Sequence, residues 1–455
     1  LRRIPKSLVF LVLAYILIFM TISVLKYYSF SYSSDLAIFS QVVWASSQGD
    51  FFYTSRSYVK DNNFLGDHVN PILLLIAPLY RILPYPLLLI FLQTVAFALG
   101  AFVVYYIAKN RFYDDGISVT FSLLYLLYPA VGSINLFNFH PDAFSTLFLL
   151  CMFYFFEKKD FKKFFLFMLL TLMCQENMPL VVSMFGVYAL IMRREKKWVI
   201  TPIVVSVLWF YLCVNLVIPH FAEAGYRYYG RYTNLGGTPR EMVETVITKP
   251  IFVLGEIFTL RKMIYACLLF APVCFISLAA PEILIIALLI FVQNFITNYE
   301  PQYNINFHYT APLIPFIFIS AIYGAHRLRK VISPKKLVPV LLASTLIINA
   351  ALFIFYNPNY EIGKIQMDEW NALNKIPENA SVYVDHSVAP ALSNRYNLGI
   401  FRLFPSPAEP EYIMVDKTGK WPDTPTYLQE IEKLKANENL DVVFSNNCYI
   451  LFKRK

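Results

Sequence analysis

Apolar runs recur along nearly the whole chain, separated by short polar stretches, and several approach the length that carries a helix through a bilayer. About 20 apolar residues are needed to cross a hydrocarbon layer of roughly 30 Å. On that criterion the pattern predicts eleven membrane spans, over residues 8–25, 85–108, 116–134, 141–157, 162–175, 178–192, 198–218, 263–280, 282–297, 309–325 and 337–356. The fifth and sixth are short, and Ala280-Pro281 marks a tight turn between the eighth and ninth. The first run follows a basic start of Arg2, Arg3 and Lys6 and has no small-residue cleavage site after it, so a retained helix is expected.

The polar stretches set an orientation. With the N-terminus in the cytoplasm, alternation places Lys109/Arg111, Lys158/Lys159/Lys162/Lys163, Arg193/Arg194/Lys196/Lys197 and Arg327/Arg329/Lys330/Lys335/Lys336 all inside, which obeys the positive-inside rule. An odd number of spans leaves residues 357–455 outside, where the composition turns to that of a small soluble α/β domain. Val382-Tyr383-Val384 and Tyr412-Ile413-Met414-Val415 read as buried strands, Thr426 to Ala436 has helical spacing, and Asp441 to Phe452 reads as two strands around Asn446-Asn447. The first outer loop, 26–84, is long and ordered. Asp35 stands as the N-cap of an amphipathic helix with Leu36, Phe39, Val42, Val43 and Ala45 on one side, expected to lie on the membrane surface. Residues 70–83, interrupted by Pro71 and Pro78, suggest a second interfacial helix or a half-span.

Composition agrees. Of 455 residues 57% are hydrophobic and 15% charged, where soluble domains run nearer a quarter charged. The 41 Phe and 32 Tyr exclude a disordered chain, and collagen and coiled-coil periods are absent. The net charge of +9 lies mainly in the inner loops, so it speaks for membrane orientation and not for nucleic acid. Five of the six cysteines fall in or at the ends of apolar segments and only Cys448 in the polar C-terminal stretch; no CxxC pair or disulfide framework is present.

Ionisable residues at membrane depth are costly and mark function. Here they share the outer side: Asp35, Asp67 and His68 in the first loop, His140 and Asp142 at the fourth span, Glu176 at the turn between the fifth and sixth, and His308 with Tyr309 at the tenth. The middles of the spans carry almost none. An ion-coupled transporter places its binding groups near the midplane; a one-sided site suits an enzyme reacting the polar head of a membrane lipid. His68 and His140 can bind a phosphate, serve as acid or base, or join Asp67, Asp142, Glu176 or His308 around a divalent metal such as zinc or manganese. Each equally serves as a plain helix-end hydrogen-bonding group. The segment Gly225 to Tyr232 offers Arg227 and Arg231 for phosphate and Tyr228 for a sugar face, although Tyr and Arg are also common at interfaces. His220, His326 and His386 have no supporting neighbours in the sequence.

Three signatures together, Ser34-Asp35-Leu36-Ala37-Ile38-Phe39-Ser40-Gln41, Gly66-Asp67-His68-Val69-Asn70-Pro71 and Asn138-Phe139-His140-Pro141-Asp142, resemble an uncharacterised family of predicted prokaryotic membrane proteins known as domain of unknown function 2079. The likeness extends to Gln175-Glu176-Asn177, His308-Tyr309 and Ile376-Pro377-Glu378-Asn379-Ala380. The organisation is similar to the GT-C class of integral-membrane glycosyltransferases, with an acidic residue and interfacial helices in the first outer loop and a soluble outer domain. That resemblance implies transfer of a sugar from a polyprenyl-phosphate carrier to a glycan, lipid or protein acceptor outside the cytoplasm, with inversion. It implies Asp35 as general base, His68, His140 and Glu176 as further catalytic groups, and Asp67, Asp142, Arg227, Arg231, Tyr228, His308 and Tyr309 as substrate contacts. Asp35 is equally explained as a helix cap. No Asp-x-Asp or Asp-Asp pair stands in the first loop. The sequence reading is therefore an all-α polytopic membrane protein of the cell membrane, GT-C-like over 1–356, with an extracytoplasmic α/β domain over 357–455. A lipid-linked saccharide flippase and a non-catalytic envelope scaffold remain the alternatives.

Overall fold

The structure, a computed structural model, describes residues 4–56, 58–355, 360, 362–401, 409–417 and 424–455. Arg2 and Arg3 of the basic start, residue 356 of the last expected span and the expected boundary at 356/357 lie outside these residues. In chain order the helices are α1 Lys6–Tyr28, α2 Ser34–Gln48, α3 Ile72–Ile82, α4 Pro86–Phe112, α5 Asp115–Leu126, α6 Pro129–Phe137, α7 Asp142–Glu157, α8 Phe161–Leu172, α9 Pro179–Ile191 and α10 Lys196–Tyr211. They continue as α11 Ile218–Phe221, α12 Pro239–Thr248, α13 Pro250–Ile257, α14 Leu260–Phe270, α15 Pro281–Leu284, α16 Leu288–Ile296, α17 Ile314–Leu328, α18 Pro334–Phe355, α19 Lys364–Leu373 and α20 Thr424–Lys435. Five strands close the chain: β1 Val382–Val384, β2 Leu398–Ile400, β3 Tyr412–Asp416, β4 Leu440–Ser445 and β5 Tyr449–Arg454.

Among the described residues four helical runs are long and apolar enough to cross a membrane: Lys6–Tyr28, Pro86–Phe112, Lys196–Phe221 and Pro334–Leu352. The pair α5 and α6, bent by 42°, makes a fifth if it is one span. The expected eleven are thus at least four by length and composition, and the remaining apolar segments fold as shorter or broken helices. Proline supplies much of the breakage, since it lacks an N–H and sets its own φ. Pro129 opens α6 with only Leu127 and Tyr128 between it and the end of α5, and Pro281 opens α15 after Cys274 and Phe275 have turned left-handed at φ 49° and 56°.

The centre of the bundle is α4, which packs against α1, α5 and α7. Its end is set by Tyr113 in the left-handed region, after which Asp114 Oδ1 accepts from Ile117 N at 2.9 Å and starts α5. The C-terminal ends of α4 and α7 meet α17 through polar groups. Arg111 pairs with Glu157, whose Oε2 also accepts from Tyr323 Oη at 2.7 Å. Asp142 opens α7 and Glu157 ends it, so these 16 residues separate the two polar clusters by roughly 24 Å.

The first loop corrects two expectations. Helix α2 starts at Ser34 with Ser33 as N-cap, so Asp35 lies inside the first helical turn and is not the cap. Nor is α2 amphipathic toward a surface: Ser34, Leu36 through Val43, Ala45, Ser46 and Ser47 are all buried. Its polar side is made of small residues and Gln41, which close packing accommodates. Helix α3 forms where the second interfacial helix was expected, with Pro78 inside it.

The sheet has the order β2-β1-β3-β5-β4, parallel across β2, β1 and β3 and antiparallel from β3 to β4. Alternation along its strands sorts its two faces. Tyr412, Met414, Tyr449 and Leu451 join the same hydrophobic core as the helical bundle, whereas Ile413, Val415, Ile450 and Phe452 face a separate cluster with Ile431 of α20. The sheet is therefore seated on the bundle through one whole face. Trp370 of α19 reinforces the seat, stacked on Phe30 with ring centroids 4.9 Å apart and donating from Nε1 to Tyr28 O at 3.0 Å.

Candidate functional site

At the Asp142 end of α7 a cavity of about 180 Å³ is lined from six segments of the chain. These are the first turn of α2, the loop before α3, the turn from α6 to α7, the turn from α8 to α9, the loop after α11, and the loop between α16 and α17.

Main-chain-directed hydrogen bonds bring the segments together. Asn138 accepts at Oδ1 from Ser33 N (3.3 Å) and donates from Nδ2 to Ser33 Oγ (2.8 Å), which ties the start of α2 to the turn before α7. Gln93 of α4 holds that turn from beneath: its Oε1 accepts from His140 N at 3.0 Å and its Nε2 donates to Asn138 O at 3.0 Å. Asp35 and Asp142 consequently both sit in the first turn of a helix, where the dipole favours a carboxylate. Gly66 fixes the third segment. A Cβ there would stand 2.3 Å from Phe221 O, so only glycine lets Asp67 and His68 pass this close under α11.

Two histidines stack at the centre. The rings of His140 and His308 lie 3.7 Å apart at 14°, with His140 Nε2 3.6 Å from Asp35 Oδ2 and His308 Nε2 3.6 Å from Asp142 Oδ2. Burial lowers the His140 imidazole to about 4, against the opposing pull of Asp35. Burial also takes His308 well below its ordinary value, helped by the positive charge His140 and Arg231 would present to it. Both rings are therefore neutral at pH 7, which is what allows them to stack without like-charge repulsion.

A hydrogen-bonded chain forms the second half of the site. Tyr228 Oη lies 2.7 Å from both Asp67 Oδ1 and His68 Nε2, and His68 Nδ1 lies 2.9 Å from Glu176 Oε1. Glu176 Oε2 accepts from Val69 N at 3.1 Å. Burial pushes the Glu176 carboxyl up, but the His68 charge and hydrogen bond together with backbone N–H donors outweigh it and hold the group below the usual glutamate value. Burial raises Tyr228 far above the ordinary phenol range, so it stays a proton donor. Asp67 is saturated: Arg56 pairs with it, and Arg227 Nη1 stands 3.9 Å away.

Arg231 differs from those two arginines. Its guanidinium sits over Tyr228, Tyr299 and Tyr309, 4.3, 4.6 and 5.0 Å from the ring centroids, and among the described residues no carboxylate lies within ion-pair distance of it. Aromatic faces hold the cation in place while leaving its N–H fork for an anion from outside.

Of the residues expected from sequence, Asp35, His68, His140, Asp142, Tyr228, Arg231, His308 and Tyr309 line the cavity. Glu176 stands behind His68, Asp67 behind Tyr228, and Arg227, half-exposed over the Tyr58 ring, reaches only the far side of Asp67. Arg56, Gln175, Tyr299 and Phe307 also line it and were not picked out as site residues. Gln175 carried a signal, as a polar residue beside Glu176 at an apolar helix joint. With its amide nitrogen turned toward Asp142, that nitrogen donates to both carboxylate oxygens at 2.8 and 2.6 Å. Arg56 carried none. Among the described residues no three His, Cys, Asp or Glu side chains are placed to hold a metal ion.

The fold resembles two crystal structures of ArnT from Cupriavidus metallidurans. The form bound to undecaprenyl phosphate matches with a TM-score of 0.60 at 13% identity, over 98% of this chain and 97% of that one. The apo form matches with a TM-score of 0.54 at 11% identity, over 96% and 97%. The architecture is thus ArnT-like along almost its full length, the GT-C-like arrangement that the sequence motifs imply. No curated protein matches the chain by sequence. The family profile described as predicted membrane protein (DUF2079) matches residues 26–451, and the chain belongs to that family.

Proposed function

We propose that this chain is a GT-C type membrane glycosyltransferase that moves a sugar from a polyprenyl-phosphate donor to an extracytoplasmic acceptor. The observation that carries the reading is that Asp35 and Arg231 line one small cavity, a carboxylate for a proton and an uncommitted guanidinium for a phosphate. The ArnT-like fold, seen elsewhere with undecaprenyl phosphate bound, supports the same donor class. In this reading the N-terminus is cytoplasmic, 1–356 form the membrane domain and 357–455 an extracytoplasmic one.

The chemistry follows from the groups present. The donor phosphate lies against Arg231, whose planar fork matches two phosphate oxygens. An acceptor hydroxyl attacks the anomeric carbon from the opposite face. The bond from that carbon to the phosphate oxygen breaks, its electron pair leaves with the polyprenyl phosphate, and the hydroxyl proton passes to Asp35. Configuration inverts in one displacement. His140, neutral beside Asp35, orients the carboxylate; Asp142 and His308 form the matching pair on the other ring face. His68, Glu176 and Tyr228 hold the donor sugar's polar edge, with Tyr309 beside Arg231, while Asp67 and Arg227 act by fixing Tyr228.

Mass spectrometry of lipids copurifying from native membranes tests this. Asp35→Asn is expected to accumulate a polyprenyl-phosphate sugar and wild type the spent carrier phosphate. Identical intact lipid-linked saccharide on both proteins would remove Asp35 from catalysis and favour a transporter.

A further inference from the structure

A second cleft, of about 380 Å³, lies between the link from α1 to α2 and the C-terminal sheet unit. Ser31 and Ser33 of the link form one side, and Glu369 of α19, His386 after β1 and Asp416 at the end of β3 form the other. Glu369 and Asp416 are 1% and 5% exposed, so these carboxylates belong to the wall and not to a solvated rim. The rings of Phe30 and Tyr449, 6.2 Å apart, add apolar surface to the same cleft. The sequence offered no neighbours for His386; the fold supplies them.

The cleft is continuous with the first site along the chain. Ser33, in its wall, is the N-cap of the helix whose first turn carries Asp35. Asp35, two residues after Ser33 of the cleft wall, lines the smaller cavity.

A transferase must present two substrates to one base. The cavity with Arg231, at about 180 Å³, is below the roughly 300–1,000 Å³ of ordinary ligand pockets, too small for two substrates at once. The second cleft, at about 380 Å³, falls within that range. Its carboxylates accept hydrogen bonds from sugar hydroxyls, its serines and imidazole both donate and accept, and its aromatic rings take the C–H faces of a pyranose.

We infer that this cleft is the acceptor subsite, and that the acceptor is a hydroxyl-rich glycan entering between the membrane bundle and the C-terminal unit. The inference rests on the glycosyltransferase reading and gives the C-terminal unit a direct part in acceptor choice.

The test fills the cleft without touching the Arg231 cavity. Ser31 is exposed and among the described residues its side chain bonds only to Ser29, so Ser31→Trp is expected to fold. Cys448 is partly exposed on the cleft wall and offers a second route, since a bulky maleimide can be attached to protein that has already folded. Full-length protein in vesicles is supplied with total lipid extract of metabolically labelled host cells and with the delipidated envelope polysaccharide of unlabelled cells. Two quantities are read: labelled sugar entering the polysaccharide, and labelled donor lipid retained by the protein. Ser31→Trp and the maleimide are each expected to cut transfer about tenfold or more while donor retention stays within about twofold of wild type. Cys448→Ser should abolish the maleimide effect. Unchanged transfer with the cleft filled overturns the inference, as do equal loss of donor retention and transfer, or label appearing in a lipid acceptor instead. A wild-type protein that retains no donor lipid overturns the glycosyltransferase reading itself, which is a different failure.

Discussion

Gln41 Nε2 donates to the main-chain carbonyl of Arg395 at 2.8 Å, joining two positions 354 residues apart. Gln41 is fully buried on α2, about two turns beyond Asp35, and its Oε1 accepts from Ser55 N at 3.0 Å. The turn it reaches also receives Ser55 Oγ at 2.7 Å and Tyr53 Oη at 3.0 Å on the Tyr396 carbonyl. Asn394 next to it is bonded to Tyr80 of α3 at 3.0 Å. The 394–396 turn is thus a clamp on the two helices of the first loop, and through α2 on Asp35. Gln41→Leu keeps the volume and removes the Gln41 bonds to the Arg395 carbonyl and to Ser55 N, leaving those groups unmet at about 1–3 kcal/mol each. The expected outcome is a melting temperature lowered by several degrees in detergent and turnover reduced more than donor binding. A variant with wild-type turnover would show that Asp35 is positioned without the clamp.

What the sequence disclosed is the set of groups that share a face. Asp67, His68, Asn138 to Asp142, Gln175 to Asn177 and His308 are far apart in the chain, but alternation of apolar runs puts each at the same end, and the fold gathers them in or behind the walls of one cavity. The strands at 382–384 and 412–416 were visible because an apolar pattern of that length between turns has few other solutions. The cap of α2 was misplaced because Ser33, Ser34 and Asp35 all suit a helix start, and only the backbone decides among them. Burial of α2 on all sides was invisible, since the partners of Gln41 come from the far end of the chain. Of the eleven expected spans, at least four stand by length and composition among the described residues, and whether a shorter apolar run crosses or breaks depends on what packs against it. Arg231 could be marked as a phosphate ligand, but not separated from Arg227, until the tyrosine box and the saturated Asp67 distinguished the two.

The stacked histidines make stability depend on acid. His140 binds a proton at about 6.5 when unfolded and at about 4 in the fold, so between those values the unfolded chain carries more protons. Stability therefore rises with pH across that window. The contribution is complete above about pH 6.5 and is lost progressively as pH falls toward 4, and His308 acts in the same direction. Glu176 adds a smaller loss at lower pH, since its folded value is depressed and its contribution disappears as the carboxylate protonates. With melting temperatures of wild type and His140→Asn compared from pH 7 to 4, wild type is expected to lose stability relative to the variant between 6.5 and 4. An unchanged slope in that variant would mean the ring is not held neutral.

The Tyr228, His68 and Glu176 chain predicts an asymmetry between two conservative changes. Tyr228→Phe removes the hydroxyl that bridges Asp67 and His68 but keeps the ring stacked on the imidazole, with centroids 4.5 Å apart. Glu176→Gln keeps a side chain able to bond Val69 N but removes the charge next to His68. Glu176 is buried with both oxygens bonded, and an amide can offer its one oxygen to only one of Val69 N and His68 Nδ1, so Glu176→Gln is the costlier change, by about 1–3 kcal/mol against roughly 1 for the hydroxyl. Thermal unfolding of the two variants at pH 7 should rank Glu176→Gln below Tyr228→Phe; the reverse order would make Asp67 and Tyr228 the anchor of the chain.

Arg231 is the sharpest test of where the donor phosphate sits, because two substitutions separate charge from shape. Arg231→Ala removes both and leaves Tyr228, Tyr299 and Tyr309 around an empty space. Arg231→Lys keeps a positive charge but loses the planar fork and most of the stacking, since an ammonium is a compact, strongly hydrated point. A charge-assisted hydrogen bond contributes about 1.5–3 kcal/mol, so loss of the bidentate contact lowers affinity by roughly ten- to a hundredfold. Donor lipid retained after purification, quantified against an internal standard, should drop to near background in Arg231→Ala and to an intermediate level in Arg231→Lys. Equal losses would make the planar fork essential and the charge alone insufficient. Full retention in Arg231→Ala would move the phosphate to Arg56 or Arg227, whose release from Asp67 would then have to accompany binding.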